Sequence, residues 1–420
     1  MNNKLVTVNL RLTFSLAKGK IEICKQEQRF RAHIYMYRKI KAWQLVSAFI
    51  LVSLLGNVGV LFSQSRSYLK MNDRIFSVEL DIENGGILAA KDIKEYTFED
   101  AYYNGINLRL GWQKKDSLST YDKLYNNPTY GIGLYSSTFG KNDIGNPYAI
   151  YGFIKVPFHT DFSEKWKFDY RIGLGLSGNF KPYDEQENPL NLVIGSKNNV
   201  FIDFGIQTHY QLSEKIRLGM GLSFHHFSNG ALQLPNKGIN LIPLNVSATY
   251  SPSFPNYTPK DSLIDLPRKW LFHINYGAGF KQVDKNNDKL YFKSTLSLYG
   301  SKYVNPKWRM GLGVDLFYAE SGNDELIAGD RKGKFSSMYS GGPAFYLVHV
   351  LNPRLLLNGN IGYYLHKSRF NGEIKKTFLR AGVRYYVYKN INTGVSIKAH
   401  LGKADYIEWV VGYTIGERLL

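Results

Sequence analysis

Residues 216–228 read Ile-Arg-Leu-Gly-Met-Gly-Leu-Ser-Phe-His-His-Phe-Ser. Ile216, Leu218, Met220, Leu222 and Phe224 share one parity, and Arg217, Gly219, Gly221 and Ser223 share the other. A period of two marks a β-strand, because successive side chains point to opposite faces of a pleated chain. His226 and Ser228 continue the apolar parity. A second stretch repeats the pattern, with Ile242, Leu244, Val246, Ala248 and Tyr250 on one face and Asn240 at its head. The two stretches read as a hairpin on which three polar residues extend two adjacent apolar stripes.

The same alternation recurs on both sides of this hairpin. It groups Phe272, Ile274, Tyr276, Ala278 and Phe280, then Met310, Leu312, Val314, Leu316 and Tyr318. It returns in Leu379, Ala381, Val383, Tyr385 and Val387, and in Ile407, Trp409, Val411, Tyr413 and Ile415. From Arg74 to Gly416 the chain accommodates about sixteen such strands, with the hairpin's first strand as the seventh. Many are longer than the roughly five or six residues of a soluble strand. They match the roughly 9–11 residues of a tilted membrane strand. The expectation is an all-β protein, an antiparallel transmembrane β-barrel. Its strands close as one large barrel, or as an 8-stranded barrel plus a second β half. Parity alone also suits a soluble β-protein, whose apolar face turns inward instead of out to lipid.

Composition suits either form, and strand length and the N-terminal segment favour the membrane form. Tyr, Phe and Gly are plentiful (31, 25 and 39), as expected where only one strand face meets lipid. Met36-Tyr-Arg-Lys-Ile-Lys41 is basic, an apolar run extends from Leu45 to Phe62, and Ser63-Gln64 opens a polar segment. This is the layout of a secretory signal; a single anchoring helix is the alternative. The expected organisation is an upstream over-extension at 1–35, a signal peptide at 36–64 and a barrel region carrying the hairpin at 74–250. A linker or loop rich in Pro, Asp and Ser follows at 251–268, and C-terminal strands at 269–416. Export with a barrel pattern implies the outer membrane of a Gram-negative bacterium. Oligomeric state is not readable from the sequence.

The formal charge is +19, and residues 1–41 hold ten Lys and Arg against two acids, which leaves +11 for the remainder. A basic surface attracts phosphates. The charges are interspersed along the strands and no nucleic-acid motif is present, so nucleic acid is not an expected partner. The one cysteine, Cys24, precedes the signal, so no disulfide, zinc site or thiol nucleophile is expected in the mature chain. No phosphate loop, dinucleotide fingerprint or histidine grouping points to a cofactor or metal.

His226-Phe-Ser228-Asn229, followed by Pro235-Asn236-Lys237-Gly238-Ile239-Asn240, resembles the signature of the PagL-like outer-membrane lipid A deacylases. That family pattern is H-x-S-N, then P-N-x-G and an acidic residue two positions on. The motif spans fifteen residues, 226–240. The resemblance implies a cofactor-free carboxylic ester hydrolase that removes an acyl chain from lipid A, with lipopolysaccharide as its partner in the outer leaflet. It implies Ser228 as nucleophile, His226 as general base and Asn240 at the position of the acid. Asn229, Asn236, Gly230 and Gly238 are the candidates for supporting an oxyanion. Asn240 departs from the pattern: an amide can orient an imidazole but carries no charge to offset an imidazolium. A non-catalytic lipid-binding barrel and a pore are the alternative functions. A second His-x-Ser, His366-Lys-Ser368 with Asn371-Gly-Glu373 beyond it, lacks the P-N-x-G context and reads as chance.

Overall fold

A computed structural model describes residues 74–416, except 89–101, 116–118, 141–142, 159–162, 164, 255–268, 325–334, 369–370, 374 and 401–402. The expected over-extension and signal, and most of the expected linker, lie outside the described residues.

Among the described residues there are sixteen strands. The first eight are β1 (Arg74–Leu88), β2 (Tyr103–Lys114), β3 (Thr129–Thr138), β4 (Gly145–Pro157), β5 (Trp166–Phe180), β6 (Asn199–Gln211), β7 (Ile216–Ser228) and β8 (Ile239–Tyr250). The rest are β9 (Leu271–Asp284), β10 (Asn287–Asn305), β11 (Trp308–Ala319), β12 (Tyr339–Val350), β13 (Leu355–Tyr363), β14 (Thr377–Tyr388), β15 (Ile391–His400) and β16 (Lys403–Ile415). They form two closed antiparallel barrels of eight strands each, β1–β8 and β9–β16. Closure of the first is made by β1, which pairs with β2 through Leu80↔Leu108 and with β8 through Leu80↔Ala248. Closure of the second is made by β9, which pairs with β10 and β16. Of the two expected closures, one large barrel is excluded, because β8 returns to β1 and leaves no edge for β9 to join.

Parity alone leaves the direction of the faces open, and burial bears out the expected transmembrane form. Ile82 is 63% exposed and its neighbour Glu83 1%; Leu244 is 69% exposed and Asn245 2%. Apolar residues face out and polar residues face in, which is the polarity of a transmembrane barrel. In the first interior, Arg109 bonds Glu79 at 2.8 Å, Asp81 at 2.6 Å and Tyr151 Oη at 2.8 Å. Arg171 bonds Asp203 at 2.6 Å, and His225 lies 2.7 Å from Glu83. In the second, Arg380 pairs with Glu408 and Asp315, while Lys281 and Lys293 meet Asp405. These side chains fill the barrels, as expected at a strand number of eight. A cavity of about 60 Å³ beside Glu79, Lys155 and His209 has room for a few waters, not for an open channel.

A buried pair is costly to break one-sidedly. Arg109→Met leaves Glu79 and Asp81 facing each other without their shared cation, and should destabilise the first barrel by about 3–5 kcal/mol. Urea unfolding in detergent, followed by the heat-modifiable gel shift of a folded barrel, measures it. A loss within about 0.5 kcal/mol, ordinary for a surface change, would show that the network does not hold the barrel.

The barrels touch at both ends. At the end where β2 passes to β3, a short helix α1 (Thr120–Leu124) is started by a capping box between Ser119 and Asp122. It delivers Tyr125, whose Oη donates to the carbonyl of Val350 at 2.6 Å. Tyr125, Ile154, Val156 and Leu351 form an apolar cluster there. At the opposite end, the connection between β7 and β8 meets β9 and β16.

Candidate active site

His226, Ser228 and Asn240 all lie at that second end, on the outer face of the first barrel. The apolar stripe of β7 runs exposed through Met220 and Leu222, is half-buried at Phe224 and His226, and is buried at Ser228. The stripe is covered because residues 229–238 fold back over the strand end. His226 and Asn240 are register partners in the hairpin. Their side chains meet, with His226 Nδ1 2.6 Å from Asn240 Oδ1. An amide oxygen only accepts, so Nδ1 carries the hydrogen and Nε2 keeps its lone pair.

Ser228 is held from the other side. Its Oγ accepts from the Gly230 N–H at 3.1 Å and from Asn236 Nδ2 at 2.9 Å. Asn236 is oriented in turn, since its Oδ1 accepts from the Asn229 N–H at 3.2 Å. Both bonds use Ser228 Oγ as acceptor and leave its own hydrogen to be donated. Among the described residues no hydrogen bond joins Ser228 to His226. The structure therefore forms a His226–Asn240 pair and a Ser228–Asn236–Gly230 cluster side by side on one face.

The other support candidates are committed elsewhere. Asn229 Nδ2 donates to Ser196 Oγ at 2.8 Å and to the Gln233 carbonyl at 2.9 Å. The Gly238 N–H donates to the Val193 carbonyl at 3.1 Å. Gly238 has a steric role instead. Its φ is +75°, and a β-carbon there would stand 2.9 Å from His226 Cε1. Gly238→Ala forces either the left-handed backbone or the imidazole to move. We expect the 2.6 Å His226–Asn240 contact to be broken or lengthened, which NMR of the His226 ring would show; unchanged ring signals would mean that the ring adapts freely.

The second His-x-Ser forms no such cluster. His366 Nε2 lies 3.0 Å from the Ser336 carbonyl, while the Ser368 N–H donates to Glu373 Oε2 at 3.0 Å. Sequence reasoning missed Ser196 and Val193, which come from the connection between β5 and β6 and carry no periodic signal. It also missed Gln282 on β9. That residue continues the parity of Phe272 to Phe280, the same signal that pointed to His226 and Ser228.

The class defined by this fold and face is an outer-membrane-type β-barrel with a serine, an imidazole and amides on its lipid-directed surface. The family model described as lipid A 3-O-deacylase (PagL) matches residues 106–249, and the one described as acyloxyacyl hydrolase, C-terminal domain, matches residues 270–417. The chain belongs to this PagL family, with one model on each barrel. No curated protein matches the chain. Among solved structures, the crystal structure of the outer membrane enzyme PagL is 18% identical, covering 41% of this chain and 97% of its own, with a TM-score of 0.28. Neisserial surface protein A is 11% identical, covering 42% of this chain and 96% of its own, with a TM-score of 0.27.

Proposed function

We propose that this protein is a lipid A deacylase of the Gram-negative outer membrane. On this reading it hydrolyses an ester-linked acyl chain of lipopolysaccharide at Ser228, in the outer leaflet. The observation that carries the reading is the placement of Ser228, His226 and Asn240 at the head of an exposed apolar face. Below them Met220, Leu222, Leu244 and Val246 are all exposed. An acyl chain lying against that face brings its ester to the level of Ser228. Polar groups on a lipid-directed stripe are costly without a function.

The chemistry follows from the tautomer and the donors. Ser228 Oγ attacks the ester carbonyl carbon and passes its proton to His226 Nε2. The carbonyl oxygen becomes the oxyanion, and the Gly230 N–H and Asn236 Nδ2, which hold Ser228 Oγ in the resting site, are the donors that can turn to it. Collapse breaks the bond to the sugar oxygen, which leaves with the proton from Nε2. Water then attacks the acyl-serine by the same proton path and releases the fatty acid. Attack requires Ser228 Oγ to come within hydrogen-bond reach of His226 Nε2, a contact that in many enzymes forms only with substrate bound.

The neutral Asn240 and the unmade Ser228–His226 bond favour a second reading, a barrel that binds lipid A without cutting it. Mass spectra of lipid A from cells expressing the wild type and Ser228→Ala decide between them. Loss of one acyl group with the wild type alone supports the deacylase. Identical spectra, with both proteins in the outer membrane, support the binding barrel.

A further inference from the structure

Along β9, Phe272, Ile274, Tyr276, Ala278 and Phe280 face outward, and the next residue of that parity is Gln282. A primary amide on a lipid-directed stripe is unfavourable unless its hydrogen bonds are met. Gln282 is 2% exposed, and its bonds are met across the gap between the barrels. Its Oε1 accepts from the Leu234 N–H at 2.6 Å, and its own backbone N–H donates to the Ala231 carbonyl at 2.9 Å. Its Nε2 donates to the carbonyls of Asp284 at 3.1 Å and Asn287 at 3.0 Å, which ties it to the β9–β10 turn.

The adjacent strand makes a second contact. On β16 the outward stripe is exposed at Tyr413 (47%) and Val411 (60%), yet Ile407 is only 8% exposed. Gly230 accounts for this, since a β-carbon built on it would lie 2.3 Å from Ile407 Cγ1. Gly230 has φ +62°, and Ala231 also lies in the left-handed region at +60°. Residues 229–236 thus take an uncommon backbone path, gripped at Gly230, Ala231 and Leu234 by the second barrel. The same segment supplies both donors to Ser228 Oγ.

We propose that the second barrel is a positioning element for the active site of the first, with Gln282 and Ile407 as positioning residues that hold the Gly230 N–H and Asn236 amide on Ser228. This rests on the deacylase reading for its effect on rate, but not for its effect on the loop. The first barrel ties this segment at Asn229, Leu232, Gln233 and Asn236, through Ser196, the Asn229–Asn236 and Asn229–Gln233 bonds and the Ile194–Asn236 bridge. The Ala231 carbonyl and the Leu234 N–H, between those ties, are bonded by Gln282, so loss of the clamp loosens the middle of the segment. An eight-stranded barrel that closes on itself needs no second barrel for its hydrogen bonds, so the partner is free to serve the site.

The test uses the full chain in lipid nanodiscs, comparing wild type, Gln282→Met and Gln282→Glu. Methionine matches the length of glutamine and removes both bonding ends; glutamate keeps the oxygen that Leu234 reaches. For Gln282→Met we expect hydrogen exchange at residues 229–236 to rise at least tenfold, and kcat to fall about ten- to hundredfold with KM within about twofold. Gln282→Glu keeps the acceptor for Leu234 but sets an oxygen against the carbonyls of Asp284 and Asn287, so its kcat and loop exchange are expected to fall between those of the wild type and Gln282→Met. Unchanged loop exchange and unchanged kcat in Gln282→Met overturn the proposal. If the wild type itself releases no fatty acid, the deacylase reading falls, and the exchange comparison alone decides the clamp. Should Gln282→Met not fold, a cycle of Gly230→Ala and Ile407→Ala replaces it. Exchange protection of the loop that is lost in Gly230→Ala and partly restored in the double variant supports direct contact, whereas additive losses overturn it.

Discussion

Ser228→Ala is expected to lower deacylation by roughly 10³-fold or more, to the level of adventitious ester hydrolysis. The reason is chemical and local. On the proposed mechanism, removing Oγ removes the nucleophile that shares a face with His226 at the head of the apolar stripe, so no acyl-serine can form. Folding should survive. The first barrel is held by a closed ring of eight paired strands and by its filled interior, and the substitution removes no backbone pairing and no interior side chain. Its structural cost is the loss of an acceptor for the Gly230 N–H and Asn236 Nδ2, about 1–3 kcal/mol for each donor left unsatisfied. The gel shift of a folded barrel checks assembly, and mass spectra of lipid A check activity. A folded Ser228→Ala that still removes an acyl group would end the assignment of the nucleophile.

Asn240 should respond in opposite directions to two substitutions. The 2.6 Å contact to His226 Nδ1 fixes both ring orientation and tautomer through a neutral acceptor. Asn240→Leu removes the acceptor, frees the ring and permits the wrong tautomer. A loss of kcat between about 10²- and 10⁴-fold is expected, the upper figure being the cost of a misassigned tautomer in a serine protease. Asn240→Asp keeps the length and the oxygen and adds the charge that an imidazolium calls for. Since the tautomer is already correct, the gain is limited to charge stabilisation, about ten- to hundredfold. The added carboxylate lies near lipid and should cost the barrel some stability. Rates measured on one lipid A preparation for all three proteins would show the order Asp above Asn above Leu. A slower Asn240→Asp would mean that charge at this position opposes the reaction, and the site would then have to work by another route.

Both predictions concern residues whose shared face is legible in the alternation of the chain itself. Parity identifies strands because a β-chain alternates its faces without help from neighbours. Hence β7 as the seventh strand, the hairpin to β8, and the shared face of His226, Ser228 and Asn240 follow from the one-dimensional pattern. The register that sets His226 opposite Asn240 is then a matter of counting through one connection. Gln282 was legible by the same rule but stood one step of that parity, two residues, past Phe280. What made it meaningful, the Leu234 N–H, is 48 residues away in sequence and on the other barrel.

The amino-acid sequence by itself determined the strands, their approximate number and the polarity of each face relative to the other, since these depend only on local alternation. Strand length and the N-terminal segment pointed to the outward-facing apolar stripe, and the tertiary structure supplied its physical reason, what fills the interior: Arg109, Arg171 and Arg380 find their carboxylates only when strands distant in sequence are brought together. The tertiary structure decided that closure occurs at eight strands, since the return of β8 to β1 is a contact across more than 150 residues that no local pattern encodes. It also decided that the loop holding Ser228 is gripped by a second barrel, because such a contact exists only between two finished surfaces.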